Sequence, residues 1–266
     1  MTVEWMWNHF TPAFVIWSGF LTFVLGSAFG SFIDCLAWRT VHHESVLSGR
    51  SHCDACGHVL GAADLVPVLG YVFLKGRCRY CGAKIPADSV TAEILLGSAW
   101  LGAFLRFGFD AETLTCMVLS AILLGLSFVD RMAMVIPDGF IAAMLIWWVP
   151  FLLLSGDPKG CALRGLAGGL LIGGGVLVID LIFERIRKTA GMGGGDIKLL
   201  FASGLYLGPW IGLFHLILSC LTGLLMTAFL RKKKIPFGPA ISLSAYVCLL
   251  FGGAFLRWYL RLAGIG

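Results

Sequence analysis

The chain has 266 residues, of which 58% are hydrophobic and 13% charged, and its mean hydropathy is +0.89. Soluble domains carry about 25% charged residues, so the composition excludes a soluble globular enzyme and marks an integral membrane protein. The net charge of +5 is small for a nucleic-acid binder, and its distribution along the chain gives it another meaning.

Stretches of about 20 apolar residues predict spans near 13–37, 89–108, 112–130, 136–155, 162–183, 197–208, 210–230 and 237–260. The sixth is short and directly follows a glycine run. Eight spans put both termini on one side. The first is too long, and too poor in basic residues at its start, for a cleaved signal peptide. Fifteen of the 20 lysines and arginines follow spans one, three, five and seven, among them Arg39, Arg50, Arg131 and the run Arg231 to Lys234. Only Arg106, Lys159, Arg164, Arg257 and Arg261 fall on the other side. Positive residues stay inside, so the first set is expected in the cytoplasm and the termini outside. The lipid bilayer, with anionic headgroups near Arg231 to Lys234, is therefore the expected partner, and nucleic acid is not.

Between spans one and two, residues 38–88 form the one sizeable soluble piece. Five of the nine cysteines (Cys35, Cys116, Cys161, Cys220 and Cys248) lie singly in apolar spans, as small buried hydrophobes. The other four form the pairs Cys53-Asp-Ala-Cys56 and Cys78-Arg-Tyr-Cys81, separated by 21 residues, close to zinc-ribbon spacing. Gly57 or Gly82 after each pair allows a tight knuckle whose thiolates face one ion. Four thiolates close the tetrahedral shell, so zinc would hold the loop's shape and hydrolyse nothing. Redox-active or metal-free thiols are the alternative, and a reducing compartment disfavours disulfides. His52 and His58 flank the first knuckle without being needed as ligands. A loop this short builds little core of its own, and a metal supplies what burial cannot. No repeat or flexible linker interrupts the rest.

Two acids stand out where long apolar helices meet polar turns. Asp130 ends Leu-Ser-Phe-Val-Asp, before Ile136-Pro137-Asp138, and Asp196 closes Gly191-Met-Gly193-Gly-Gly195-Asp196. An acid at a membrane boundary is costly and points to function. Glycines beside one let an extended peptide approach the backbone. Two adjacent carboxyls do not both ionise easily, and such a pair can act as base and acid on a peptide bond. Each aspartate would equally serve as a helix cap, or pair with Arg131 or Lys198. Asp138 is placed to position its turn or pair with a cation, and Lys198 to tune a carboxyl or anchor at headgroups. Glu93 suits a helix N-terminus or a basic ligand. Asp180 suits an inward polar contact, and Arg39 snorkelling or an anionic group. Gly168, Gly169, Gly173, Gly174 and Gly175 permit close helix packing or contact with a substrate helix.

Gly193-Gly-Gly195-Asp196 fits a GxGD signature, and Asp130 with Ile136-Pro137-Asp138 resembles the first-aspartate segment of type IV prepilin peptidases, which are GxGD aspartic membrane proteases. Gly30-Ser31-Phe32 through Arg39, the paired CxxC loop with Gly76-Arg77-Cys78-Arg79, Glu93, and Ile235-Pro236-Phe237-Gly238-Pro239 agree in order over nearly the whole chain. The resemblance implies cleavage of the basic leader of prepilins or pseudopilins at the cytoplasmic face of the bacterial inner membrane. It also implies N-methylation of the new terminus from S-adenosylmethionine. Asp130 and Asp196 would be catalytic, supported by Gly193, Gly195, Lys198 and Asp138, with zinc on Cys53, Cys56, Cys78 and Cys81. The cofactor pocket is not assigned. This chain departs from the family at Asp34, at Val66-Pro67-Val68-Leu69-Gly70-Tyr71 and at Ile85-Pro86-Ala87-Asp88, in the segment associated with methyl transfer. With no glycine-rich cofactor fingerprint visible, methyl transfer rests on resemblance alone, and a GxGD peptidase without it is the alternative. The expected fold is all-α and polytopic, with about eight transmembrane helices. A small zinc-binding cytoplasmic module (38–88) separates helix one (1–37) from the protease membrane domain (89–266). An ion-coupled transporter would need acids near the midplane and repeated halves, neither of which is visible. A non-catalytic zinc scaffold would leave Asp196 unexplained.

Overall fold

The computed structural model describes the chain except residues 1–5, 7, 8, 46–48, 50, 54, 62, 190, 231–234, 265 and 266. Arg50 and the basic run 231–234, used above for orientation, lie outside the described residues. The architecture is helical. Among the described residues the β pairing consists of two isolated bridges, His52 with Val59 and Arg77 with Lys84.

In chain order the helices are α1 (Pro12–His42), the short α2 (Leu69–Phe73), α3 (Asp88–Phe107), α4 (Ala111–Ala133), α5 (Asp138–Leu154), α6 (Pro158–Gly169), α7 (Gly175–Arg187), α8 (Gly194–Leu230) and α9 (Gly238–Leu262). One π-helical turn, Leu170–Gly174, joins α6 to α7. Counting α6 through α7 as one, six helices are long and apolar enough to cross a membrane, while α5 is apolar but has only 17 residues. Large apolar side chains such as Phe229, Leu153 and Ile186 are more than 70% exposed, which suits lipid and not water.

α8 is two helices in succession. Gly208 has φ 68° and ψ −179° and is followed by Pro209. The positive φ is open to glycine at no steric cost, and proline cannot give its N–H to the preceding turn. In a straight helix Ser203 and His215 would stand about 18 Å apart, yet their side chains meet at 3.0 Å. The two arms therefore fold back as a hairpin, and the reversal falls where the sequence separates spans six and seven.

The chain divides into two compact units, Met1–Phe128 and Val129–Gly266. In the first, α1 runs antiparallel to α3 through small residues: a Cβ on Gly26 would lie 2.9 Å from Gly97 Cα, and one on Gly30 2.6 Å from the Ala92 carbonyl. In the second, α6 and the π turn run antiparallel to the first arm of α8. A Cβ on Gly168 or Gly173 would collide with Gly204 or Phe201 respectively. The second arm pairs with α9, where Phe214 stacks on Phe255 at 4.0 Å.

Candidate active site

Asp130 lies in the last turn of α4 and is 5% exposed. Its Oδ2 accepts the Gly238 N–H at 2.8 Å. Gly238 is the first residue of α9, with Pro239 behind it, so the positive end of that helix faces the carboxylate. A Cβ on Gly238 would sit 2.6 Å from the same oxygen; glycine is needed for the carboxylate to reach the amide.

Asp196 stands in the first turn of α8, where the Gly193 carbonyl accepts the Asp196 and Ile197 N–H groups at 3.0 and 3.3 Å. It thus occupies a first-turn position favourable to an acid. Asp130 lies within electrostatic reach of Asp196, 66 positions away in sequence. The glycines of the signature have separate tasks. A Cβ on Gly193 would stand 3.1 Å from Asp196 Oδ2, and one on Gly195 only 2.8 Å from Ile136 Cβ. Gly195 lets the loop after Asp130 lie against the start of α8.

Asp138 and Lys198 form a pair at 2.6 Å with both side chains largely exposed. This meets the expected cation partner for Asp138 and ties the start of α5 to α8. Behind the pair is a cavity of about 520 Å³, walled by Ile141, Leu145, Leu170, Gly173, Ile197 and Phe201 among others. Asp180 accepts the Met192 N–H at 2.8 Å and so anchors the front of the glycine run, an inward polar contact as expected.

Residues in the first unit hold the loop. Glu93, 7% exposed, accepts the Val68 N–H at 2.6 Å. Val68 has φ 61°, costly for a β-branched residue, and is the N-cap of α2, so Glu93 holds a strained turn at a helix N-terminus, one of its two expected uses. Arg39 is buried and donates to the Ser45 and Gly49 carbonyls at 3.2 and 3.3 Å; it ties down the loop instead of snorkelling.

The four loop cysteines converge, with all their sulfurs within 4.8 Å of one another. Both knuckles have one design: Cys53 and Cys78 N–H donate to the His58 and Ala83 carbonyls, and the Gly57 and Gly82 N–H groups return to the Cys53 and Cys78 carbonyls. Gly57 and Gly82 take φ 69° and 72°. Around tetrahedral zinc, sulfurs at about 2.3 Å from the metal stand about 3.8 Å apart; Cys53 and Cys81 are at 3.9 Å, and the donor set fits. The Cys81 and Tyr80 amides hold the Cys78 thiol down to about 7. Cys81, despite the Ala83 amide, is pushed up to about 11 by desolvation and its sulfur neighbours. The His58 ring packs against Tyr80 at 3.6 Å between ring centres, tilted by 33°, and His58 lies outside the cluster of sulfurs.

Neither the Gly238 amide nor His215 stood out in the sequence. The proline after Gly238 marks a helix start, and outward-pointing amides there are the signal that could have found the first.

Comparison with known proteins identifies the family. The description "Bacterial Peptidase A24 N-terminal domain" matches residues 24–107, and "Type IV leader peptidase family" matches 117–228. The chain is 31% identical over 255 residues to a prepilin leader peptidase/N-methyltransferase of Bacillus subtilis, covering 91% of this chain and 98% of the relative. It is 36% identical over 220 residues to a protein of the same name from Aeromonas salmonicida, covering 79% and 74%. A Burkholderia pseudomallei relative, also so named, is 33% identical over 229 residues, covering 81% and 70%. No solved structure matches. With both family descriptions met in order and a relative matched along almost its whole length, this chain belongs to the type IV leader peptidase family.

Proposed function

We propose that Asp130 and Asp196 are the catalytic carboxyl pair of an aspartic endopeptidase that removes the leader of type IV prepilins or pseudopilins at the cytoplasmic face of a bacterial inner membrane. The observation that carries this is that Asp130, held by the Gly238 N–H at 2.8 Å, lies within electrostatic reach of Asp196 at its glycine-flanked helix start. One carboxylate takes a proton from water as its oxygen attacks the scissile carbonyl carbon. The other carboxyl, protonated, donates to the carbonyl oxygen; the first then passes the proton taken from water to the leaving nitrogen, and the second recovers its own as the carbonyl re-forms and the C–N bond breaks. Cytoplasmic orientation rests on the distribution of lysine and arginine. The apolar cavity between α5, the π turn and α8 begins one residue after Asp196, where an apolar substrate segment would lie beside the pair.

The relatives' names join leader cleavage to N-methylation, and the new amino terminus is the natural acceptor of a methyl group from S-adenosylmethionine. Zinc would be held by Cys53, Cys56, Cys78 and Cys81 as a structural ion that keeps residues 38–88 folded.

Mass spectrometry of a full-length prepilin after incubation with the purified protein reports the cleavage position and any added methyl group. Asp130→Asn and Asp196→Asn are each expected to lower the cleavage rate by roughly 10³-fold or more with folding and zinc content kept. Normal cleavage by either variant would remove that residue from the pair.

A further inference from the structure

A second polar cluster is buried within residues 129–266, away from the carboxyl pair. His215, on the second arm of α8, is completely buried, and so are Ser219 and Ser244, with Ser203 at 3%. The imidazole Nε2 is 3.0 Å from Ser203 Oγ on the first arm. Its Nδ1 is 2.9 Å from Ser244 Oγ on α9, and that hydroxyl is 2.5 Å from Ser219 Oγ.

The directions follow the imidazole tautomer. Each serine also has a backbone carbonyl within reach of its hydroxyl, Leu199 or Leu200 for Ser203 at 2.9 and 3.1 Å and Ile241 for Ser244 at 2.9 Å. A neutral imidazole therefore donates its one N–H to one of the two serines and accepts from the other. An imidazole among apolar helices is costly unless both nitrogens are satisfied. Here they are satisfied by different helices, so the imidazole is content in only one register of the three segments. Small residues line the neighbouring seams, and apolar packing of that kind resists sliding poorly by itself.

The two helices so joined are those that place the acids. Ser203 lies two turns after Asp196 on the same arm, and Ser244 less than two turns after Gly238, whose amide holds Asp130. We infer that His215 is a positioning residue: a hydrogen-bonded strut between the first arm of α8 and α9 that sets the separation of the Asp130 and Asp196 carboxyls. The inference rests on the catalytic assignment made above.

The test measures kcat and KM for leader removal from a full-length prepilin by the purified whole chain. His215→Leu keeps the volume without the hydrogen bonds, and its kcat is expected to fall 10- to 100-fold, the scale of an ångström's misplacement, with KM within about twofold. His215→Gln can restore the bond to Ser203 and His215→Asn the bond to Ser244, so each should exceed the leucine variant by at least about fivefold. The double variant Ser203→Ala/Ser244→Ala removes only two hydroxyls and should reproduce the leucine result; it carries the test if His215→Leu does not accumulate folded. Wild-type kcat in either, no recovery with Gln and Asn, or a change confined to KM overturns the strut. Active Asp130→Asn or Asp196→Asn protein would instead overturn the carboxyl pair, so the two failures are separable.

Discussion

At Gly195 the site admits no side chain, because a Cβ would lie 2.8 Å from Ile136 Cβ. At Gly194, one position earlier, a Cβ meets nothing within 4 Å. Gly195→Val is therefore expected to separate the loop after Asp130 from the start of α8 and slow leader cleavage by about 10²-fold. Gly194→Ala should stay within about twofold, as initial rates on one prepilin preparation will show. The two aspartates were legible because an acid beside glycines at the end of an apolar run has few inexpensive explanations. The Gly238 amide was not, because a backbone donor carries no mark in the residue type that bears it. For Glu93 a helix N-terminus was legible but not which one: its partner is the backbone of Val68, the N-cap of α2, 25 positions away, and a single sequence offers no route to such a contact.

The helices were legible as apolar runs, and even the reversal at Gly208-Pro209 lies between two expected spans. Their faces were less so. The glycines of the fifth span suited both helix packing and a substrate contact, and the structure divides them. Gly168, Gly169 and Gly173 are pressed against α8, whereas Gly174 and Gly175 have open space. The π turn at Leu170–Gly174 escaped because one extra residue per turn barely changes an unbroken apolar pattern. Gly168→Leu should force α6 from α8 and cost about 3 kcal/mol, the upper range for overpacking. Gly175→Leu should change stability by less than about 1 kcal/mol. Denaturation of both variants in one detergent makes the comparison.

For the whole molecule, the four-cysteine module belongs to the first compact unit, and every residue placed around the carboxyl pair from Val129 onward belongs to the second. The module was legible because cysteine spacing is itself metal chemistry, and its glycines sit where the knuckles turn. About one zinc per chain is expected, lost when Cys53 and Cys78 both become serine. A metal-free loop with Cys81 near 11 holds protons at neutral pH, and zinc must displace them. Affinity therefore falls as pH drops, by at least about tenfold per unit below 7, which competition with a zinc-binding dye measures. The hairpin in α8 has a consequence for the lipid as well. Its first arm, residues 194–207, is about 21 Å long, against a hydrocarbon layer of about 30 Å. A span this short is accommodated by bilayer thinning, by flanking side chains that reach the interface or by association with other helices, and here neighbouring helices bury Leu199, Leu200 and Ala202. With Asp196 in its first turn, so short an arm sets the acid near a headgroup layer, the source of the water that the proposed hydrolysis consumes.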